Sequence, residues 1–282
     1  MPESFLPSPG LYLVATPIGN LRDITLRSLD VLRASDIIYC EDTRQTRKLL
    51  KAYEFDIPLK PYHDHSSDKD REHIIKDIKQ GKIVSLVSDA GTPMICDPGY
   101  KLVQSVIQEN LPITVIPGAN AAISALQLSG LPCDIFMFCG FFPRKEKQAK
   151  EVLESFSTLD ATLVFYETAP RIQKTLGYVA DTFGTCDISI ARELTKKFEE
   201  VLRGSPEDLI KILEERPIKG EIVLCVRKYQ TAQKFSSEDI KSLLIEELKT
   251  SRTKDASRKI AELTGCPSQE IYQMAIDLKN ER

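Results

Sequence analysis

The sequence VSDAGTPMICDPG occupies residues 87–99. It follows the most apolar segment in the first half of the chain, Ile83–Val87, and precedes a helical pattern over 100–108. Two glycines and two prolines interrupt it, so we predict a turn-rich loop between a strand and a helix. In an open α/β sheet, a loop at the carboxyl end of a strand borders the crevice where ligands bind. We therefore predict that the 87–99 loop lines a ligand site, with an ordinary tight turn as the alternative.

The residues on either side of this loop alternate between strand and helix patterns. Strands are predicted over 11–16, 36–40, 59–62, 83–87 and 113–116, with helices between them. In the helix over 67–80, Ser67 and Asp70 have the spacing of a capping box, and Gly81 suits the left-handed residue after a helix end. Five strands that alternate with helices predict a parallel sheet with right-handed crossovers.

The second half departs from this alternation. After a small-residue helix over 121–128, strands are predicted over 136–141, 162–166, 188–194, 198–203 and 221–226. Only residues 195–197 separate two of these strands, which favours an antiparallel hairpin and a mixed sheet. Helices follow over 238–248, 254–263 and 269–278, as a helix-turn-helix-like tail or a plain helical hairpin over a sheet edge. We predict α/β domains at 1–118 and 119–232 and a helical tail at 233–282.

Composition limits the class of protein. The chain has 282 residues, 42% hydrophobic and 28% charged, as is typical of soluble globular proteins. Its apolar runs are too short to span a membrane and its N-terminus lacks a secretory pattern, so we expect a cytoplasmic protein. The seven cysteines form no Cys-x-x-Cys motif, which predicts reduced, mostly buried thiols. We expect Cys40, Cys96 and Cys225 to fill the core.

The charge distribution bears on nucleic-acid binding. A net charge of −3 provides no overall basic field, so an RNA partner would have to be held by local patches. Three basic clusters could be such patches or merely solvated surfaces. They are Arg44, Arg47, Lys48 and Lys51; Arg144, Lys145, Lys147 and Lys150; and Arg252, Lys254, Arg258 and Lys259.

Polar side chains follow four strands of the first half, and their convergence at one sheet edge is typical of an active site. These groups are Asn20 with Asp23, Glu41 to Arg44, His63 to His65, and Ser88 to Thr92. The first loop contains neither G-x-G-x-x-G nor a P-loop, so we expect no pyrophosphate site. The triplet His63-Asp64-His65 does not predict a metal site, because alternate residues of an extended segment point to opposite sides.

Three segments of the second half carry polar residues at predicted sheet ends: 165–167, 191–196 and 219–221. They are either solvated or form the polar rim of an apolar surface that suits an adenine ring.

In combination, many of these segments resemble the tetrapyrrole methylase superfamily, in particular its bacterial branch that methylates ribose 2′-hydroxyls of 16S ribosomal RNA. The resemblance extends over roughly residues 10–228. It rests on 16–21 (TPIGNL), 23–25, 41–44 (EDTR), 63–65 (HDH), 87–93, 97–100, 117–118, 130–132, 140–143 and 191–196.

The resemblance implies a class III methyltransferase fold, with a parallel-sheet N-domain, a mixed-sheet C-domain and S-adenosylmethionine folded in the cleft between them. It further implies methylation of a cytidine ribose in small-subunit RNA, with the 16S RNA or the small ribosomal subunit as partner, and a homodimer without membrane contact. The implied cofactor contacts are Ser88, Asp89, Ala90, Gly91, Thr92, Pro117, Gly118, Ala119, Asn120, Ala121, Phe165, Tyr166, Gly220 and Glu221.

The resemblance also implies a base that removes the proton of the ribose hydroxyl. Candidates for this catalytic role are Asp64, His65, Glu41, Asp42 and Lys196. The RNA contacts are expected at Arg44, Arg144, Lys145, Arg192 and Lys196.

Two alternatives to this function remain open. A tetrapyrrole C-methyltransferase of the same superfamily typically carries Gly-Gly-Asp-Pro after the fourth strand, where this chain has Ala90-Gly91-Thr92-Pro93. A non-catalytic RNA-binding protein would use the basic patches and leave the polar strand ends unexplained.

Overall fold

The computed structural model describes residues 7–63, 66–229, 237–264 and 266–280. The chain divides into two compact units, Met1–Lys228 and Tyr229–Arg282, and the first contains two five-stranded sheets. The proposed boundary near residue 118, inside the first unit, stays a prediction. Asp64 and His65, two candidates for the catalytic base, lie outside the described residues.

The first sheet is entirely parallel, as predicted, and its strand order is β3-β2-β4-β1-β5. Its strands are β1 Gly10–Val14, β2 Ile37–Cys40, β3 Leu59–Pro61, β4 Ile83–Val87 and β5 Ile113–Ile116. A short 3-10 helix, Leu21–Asp23, follows β1, and the α-helices are α1 Leu26–Ala34, α2 Thr43–Ala52, α3 Asp68–Lys79, α4 Tyr100–Gln108 and α5 Ala121–Ser129. Because β1 and β4 are neighbours, the loops at their carboxyl ends lie side by side.

The alternation of side chains along β2 shows why both faces of this sheet are covered. Ile37 and Tyr39 belong to one hydrophobic cluster, whereas Ile38 and Cys40 belong to another on the opposite face. Each fully buried aliphatic side chain stabilises the fold by about 1.5–3 kcal/mol. This continuous burial is the signature of a parallel sheet enclosed by helices.

Local signals set the ends of α3 as expected. Ser67 and Asp70 form the predicted capping box, in which the Asp70 carboxylate accepts a hydrogen bond of 2.8 Å from the Ser67 amide. Gly81 follows the helix with a φ of +83°, in the left-handed region that favours glycine.

The second sheet is mixed, with the order β6-β7-β10-β8-β9. Its elements are β6 Phe136–Phe141, α6 Glu146–Ser155, β7 Thr162–Thr168, α7 Ile172–Phe183, β8 Cys186–Arg192, β9 Glu200–Gly204, α8 Pro206–Glu215 and β10 Glu221–Lys228. The antiparallel hairpin of β8 and β9 is confirmed. Its strands are separated by residues 193–199 rather than 195–197, because Glu193 and Thr195 adopt positive φ values of 49° and 66° that end the extended backbone.

The two faces of the second sheet also pack differently. Ile222, Leu224 and Val226 of β10 face the larger hydrophobic cluster with α6, α7 and α8. Val223 and Cys225 face the opposite side, where they pack with Ala122, Ala125 and Leu126 of α5. The helix α5, which follows the first sheet in sequence, therefore packs against the second one.

The second unit contains three helices around a hydrophobic core of their own: α9 Ser237–Glu247, α10 Thr253–Thr264 and α11 Ser268–Asn280. In the described part of the chain, no helix combines the length and apolarity that crossing a bilayer requires.

The cysteines follow the prediction only in part. Cys40, Cys186 and Cys225 are buried, and burial raises the pKa of Cys186 and of Cys225 to about 12. The expectation that Cys96 fills the core is wrong, since this residue is exposed in the 87–99 loop, where its φ is +64°. Cys133 is exposed as well.

Candidate functional site

A cavity of about 350 Å³ lies between the loops of the first sheet and the strands of the second. This volume is within the range of small-molecule sites. The cavity, called the pocket below, is lined by Ile18, residues 89–92 and 95–97, Asn120, Ala121, Phe141, Tyr166, Glu167, Thr168, Ala191, Glu193, Leu194, Lys196 and residues 221–223. The prediction that the 87–99 loop lines a ligand site therefore agrees with the position of this pocket.

Gly91 joins the 87–99 loop to the loop after β1. The Thr16 amide donates to the Gly91 carbonyl at 2.8 Å, and the Gly91 amide donates to the Thr16 carbonyl at 3.0 Å. The φ of Gly91 is +79°, and a Cβ there would lie 3.2 Å from Cγ2 of Ile18. Since Thr16 already uses both backbone groups of Gly91, this glycine serves the pocket by permitting a close approach rather than by hydrogen bonding.

Ser88 and Thr92 support the same loop from within. The Ser88 hydroxyl is buried and lies 3.3 Å from the carbonyls of Ala90 and Gly91. The Thr92 hydroxyl donates to the Ala119 carbonyl at 3.1 Å. Ser88 and Ala119 thus hold the loop in shape without lining the pocket themselves.

Backbone strain is concentrated at the pocket. In the described part of the chain, six residues other than glycine have positive φ values, and four of them are in two loops that border the pocket. These four are Met94, Cys96, Glu193 and Thr195. Such conformations cost about 1–3 kcal/mol each and occur preferentially where a site requires them.

Lys196 lies between two carboxylates in the turn after β8. Its ammonium is 3.0 Å from Oε1 of Glu193 and 2.7 Å from Oε2 of Glu221. Burial lowers the pKa of Lys196, but hydrogen bonds to the two carboxylates outweigh this effect, and the net direction is upward. Lys196 is therefore a cation at neutral pH and is a poor candidate for the base. Gly220 has a φ of +99°, which disfavours any other residue, and a Cβ there would displace the Glu193 side chain from its present position.

Gly19 permits the first loop to approach this turn closely. A Cβ on Gly19 would lie 2.6 Å from Cγ of Lys196, 2.9 Å from Oγ1 of Thr195 and 3.1 Å from the carbonyl oxygen of Leu194. The absence of a side chain at residue 19 thus determines how near the two walls of the pocket come.

Gly19→Ala is expected to weaken binding of the pocket's ligand about tenfold, because overpacking costs about 1–3 kcal/mol. Calorimetry with S-adenosylmethionine would measure this change. Gly177→Ala in α7 is the control, since a Cβ there has no atom within 4 Å. Equal affinities of the two variants would contradict the role given to Gly19.

Two other candidates for the base, Glu41 and Asp42, follow β2. Asp42 caps α2 and pairs with the exposed Arg44 at 2.7 Å. Hydrogen bonds from Arg44 lower the pKa of Asp42 to about 2, which makes its carboxylate a weak base. The Asp42 amide donates to Asp89 at 3.0 Å, which connects this segment to the 87–99 loop. Glu41 is exposed and is not among the lining residues.

Strand alternation decides which of the predicted cofactor contacts in the second sheet can face the pocket. The side chain of Tyr166 faces the pocket, where burial raises its pKa to about 12, whereas Phe165 is fully buried in the core against Phe142. Neighbouring residues of a strand point to opposite faces, so only one of the two can contact a ligand in the pocket.

Of the fourteen predicted cofactor contacts, the pocket brings together Asp89, Ala90, Gly91, Thr92, Asn120, Ala121, Tyr166 and Glu221. Ser88, Pro117, Gly118, Ala119, Phe165 and Gly220 are not among the lining residues. Residues that the sequence did not single out as contacts include Ile18, Ile95, Phe141, Glu167 and Leu194. All five lie in segments that the sequence analysis singled out, but nothing in these segments indicates which side chains face the pocket.

The predicted RNA contacts differ in their surroundings. Arg192 is only 16% exposed, donates to Glu200 at 2.7 Å and also donates to the Lys219 carbonyl, so its guanidinium holds the sheet edge together. Arg44 is exposed but paired with Asp42. Arg144 and Lys145 are exposed, and neither has an ion-pair partner among the residues that the structure describes.

The electrostatic character of the pocket is acidic. Among the described residues that line it, five carry carboxylates and one carries an ammonium. The carboxylates are Asp89, Asp97, Glu167, Glu193 and Glu221, and the ammonium is Lys196. Over the described residues, no group of three or more His, Cys, Asp or Glu side chains is arranged to hold a metal ion. Fold and pocket together define an α/β protein with a partly apolar, acidic pocket at the carboxyl ends of parallel strands, which is the usual place of a ligand site in such folds.

Comparison with known proteins identifies the family. The model of the Tetrapyrrole (Corrin/Porphyrin) Methylases matches residues 10–210, and the chain belongs to this family. A curated relative from Erythrobacter litoralis, named Ribosomal RNA small subunit methyltransferase I, is 48% identical over 272 residues, which are 96% of this chain and 96% of the relative. A relative of the same name from Rickettsia prowazekii is 44% identical over 261 residues, which are 89% of this chain and 93% of the relative. The chain is accordingly a methyl-transferring enzyme.

Solved structures agree with the fold. A cobalt precorrin-4 methyltransferase superimposes with a TM-score of 0.56 at 13% identity, over 77% of this chain and 94% of that chain. At this identity the likeness concerns the fold alone, and it confirms the predicted tetrapyrrole-methylase-like architecture of one parallel and one mixed sheet.

Proposed function

We propose that this enzyme transfers the methyl group of S-adenosylmethionine to the ribose 2′-hydroxyl of a cytidine in 16S ribosomal RNA. The observation that carries the proposal is the 44–48% identity, over about nine-tenths or more of the chain, to relatives named as small-subunit ribosomal RNA methyltransferases. The ribose hydroxyl and the cytidine come from the resemblance of the sequence motifs. A ribosomal substrate would also account for the cytoplasmic location that the sequence predicts.

The pocket fits this cofactor in shape and charge. Ile18, Leu194, Val223 and Tyr166 offer an apolar surface for an adenine ring. Four carboxylates of the pocket, those of Asp89, Asp97, Glu193 and Glu221, outnumber the Lys196 ammonium and suit the cationic sulfonium and amino groups of S-adenosylmethionine, whereas the Glu167 carboxylate is paired with Arg171. Bound in this pocket, S-adenosylmethionine would supply an electrophilic methyl group.

The residues of the chain would contribute chiefly by positioning. Gly91 and Gly19 set the width of the pocket, and the 87–99 loop shapes its floor. In methyl transfer between two well-placed atoms, most of the acceleration comes from holding them in line. The hydroxyl must also lose its proton to a base. Because the pKa of Asp42 is lowered and that of Lys196 is raised, neither suits this role, and Glu41, Asp64 and His65 remain candidates.

The alternative function within the same family is that of a tetrapyrrole C-methyltransferase. Two observations favour the RNA substrate: the relatives with high identity are named as RNA methyltransferases, and the 87–99 loop contains Ala90-Gly91-Thr92-Pro93 rather than the Gly-Gly-Asp-Pro of the tetrapyrrole branch.

The decisive experiment maps 2′-O-methylated nucleotides of small-subunit RNA in cells with and without this protein. A single cytidine methylation that disappears with the protein and returns with the purified enzyme and S-adenosylmethionine is the expected result. An unchanged map would refute the RNA activity. Calorimetry with S-adenosylmethionine separates the remaining possibilities, because absence of binding would also refute the C-methyltransferase.

We further propose that the enzyme is a homodimer that uses the free edge of β6. In the described part of the chain, β7 is the only strand that pairs with β6, and the strand itself contains no charged residue. Phe136, Met137 and Phe141 are exposed although they are apolar, which is unusual for an unprotected sheet edge.

Met137→Lys is expected to convert the dimer into a monomer, because it places a charge in an apolar contact. Sedimentation velocity at micromolar concentration measures the mass. Leu159→Lys, at a comparably exposed apolar residue outside β6, is the control and should leave the dimer intact. A wild-type protein that sediments as a monomer would contradict this proposal.

A further inference from the structure

An ion pair between a buried carboxylate and a half-buried arginine connects the wall of the pocket to the loop that precedes α6. Glu167 lines the pocket, and its side chain is only 1% exposed. Its carboxylate accepts hydrogen bonds from the Thr168 amide and the Thr175 hydroxyl, both at 2.7 Å. The remaining partner is the guanidinium of Arg171, 3.3 Å away, which supplies the charge that a buried carboxylate requires.

Arg171 also reaches across to the loop between β6 and α6. Its Nη2 donates to the carbonyl of Phe142 at 3.0 Å and to the carbonyl of Pro143 at 2.8 Å. The Phe142 amide donates to the Tyr166 carbonyl at 2.9 Å, and its ring packs against Phe165. The backbone of residues 142–143 is thereby fixed from both sides.

The next two residues are Arg144 and Lys145, which are exposed and have no ion-pair partner in the described part of the chain. The other cations of this patch have carboxylate neighbours within α6, Glu146 at 3.1 Å from Lys150 and Glu151 at 3.9 Å from Lys147. Arg144 and Lys145 have no such neighbour in the described part of the chain, and the Arg171 contacts end immediately before them.

We propose that Arg171, held by Glu167, is a positioning residue that presents Arg144 and Lys145 to the phosphates of the RNA substrate. This inference rests on the proposed function, because it assumes an RNA partner. A loop held in one conformation before binding loses less conformational entropy when it binds, and so binds more tightly than a mobile one. Nη2 of Arg171 makes all three contacts: it donates its two hydrogens to the carbonyls and lies 3.3 Å from the carboxylate, and the rigid, planar guanidinium orients this nitrogen better than the flexible chain of a lysine orients its ammonium.

The test is a double-mutant cycle on the full chain, with binding to purified small-subunit RNA as its main readout. Arg171→Met is expected to weaken RNA binding about tenfold, as does the double variant Arg144→Ala/Lys145→Ala. The slope of log K against log salt should decrease by about 1–2 in both, since up to two phosphate contacts are lost. In the triple variant, Arg171→Met should add almost nothing, because the loop no longer carries the cations.

Two measurements separate positioning from a general loss of structure. Arg171→Lys keeps a positive charge beside Glu167, so its affinity for S-adenosylmethionine should change less than about twofold, and it should restore part of the RNA affinity that Arg171→Met loses. RNA affinity that is unchanged in Arg171→Met, or an effect that multiplies fully with that of Arg144→Ala/Lys145→Ala, would overturn the inference. If Arg171→Met does not fold, Arg171→Lys replaces it in the same double-mutant cycle, with a smaller expected loss of RNA affinity.

Methylation by the wild-type protein tests the proposed function independently of the role of Arg171. Wild-type protein that binds the RNA without methylating it would refute the proposed function, while the cycle would still measure the role of Arg171. Wild-type protein that binds no RNA would refute both.

Discussion

Gly91→Val is expected to lower the affinity for S-adenosylmethionine by about a hundredfold. The new side chain would enter the pocket beside Ile18, where even a Cβ lies 3.2 Å from Cγ2, and overpacking of this kind costs up to about 3 kcal/mol. The φ of +79° adds backbone strain, which for a β-branched residue destabilises the folded state by about 1–3 kcal/mol. Calorimetry measures the first effect and denaturant unfolding the second.

Gly81→Val is a matched control for this experiment. Gly81 has nearly the same φ, +83°, but a Cβ there has no atom within 4 Å. Both variants should therefore lose similar unfolding free energy through strain, and only Gly91→Val should lose the cofactor. If Gly91→Val binds S-adenosylmethionine as tightly as Gly81→Val does, the 87–99 loop does not line the cofactor site.

Lys196→Met is expected to reduce the single-turnover rate of RNA methylation by about a hundredfold, the usual loss when a fixed charge is removed from an active site. The ammonium that Glu193 and Glu221 hold would be absent, and the two carboxylates would repel the anionic RNA. Because the pKa of Lys196 is raised, the side chain remains charged throughout the neutral range, and its contribution is lost only as the pH rises through that raised pKa.

Lys196→Arg distinguishes a charge from a base. An arginine keeps the positive charge but cannot act as a base, so it should retain most of the rate, follow the wild-type dependence on pH through the neutral range, and keep its charge where Lys196 loses its own. If Lys196→Arg is as slow as Lys196→Met, and if the wild-type rate rises with pH toward the lysine range, Lys196 is the base and the electrostatic role is wrong.

The fold was largely predictable because its signals are local. Alternating strand and helix patterns predicted five parallel strands, and the Ser67–Asp70 spacing predicted a helix start that the hydrogen bonds confirm. The short separation of β8 and β9 predicted their antiparallel pairing. The strand ends were less accurate, since Glu193 and Thr195 adopt positive φ values for which neither residue type has a preference.

The candidate site was predictable as a set of loops but not as a set of side chains. The motif at 165–167 was recognised, yet of its three residues Phe165 points into the core and Glu167 joins an ion pair with Arg171, a residue outside the motif. Arginine is a residue type that commonly contacts RNA, but the guanidinium of Arg192 is held by the Glu200 carboxylate and the Lys219 carbonyl. In each of these cases, contacts with residues outside the recognised motif decided where the side chain points.

The sequence by itself determined the succession of strands and helices along the chain, the parallel character of the first sheet and the loops that line the pocket. Propensity, capping and hydrophobic period act within a few residues, so they can be read without coordinates. The tertiary structure alone decided that Thr16 uses both backbone groups of Gly91 and that two carboxylates hold Lys196. Hydrogen bonds and charges act over a few ångströms in space, and a linear sequence does not contain the distances between loops that meet only after folding.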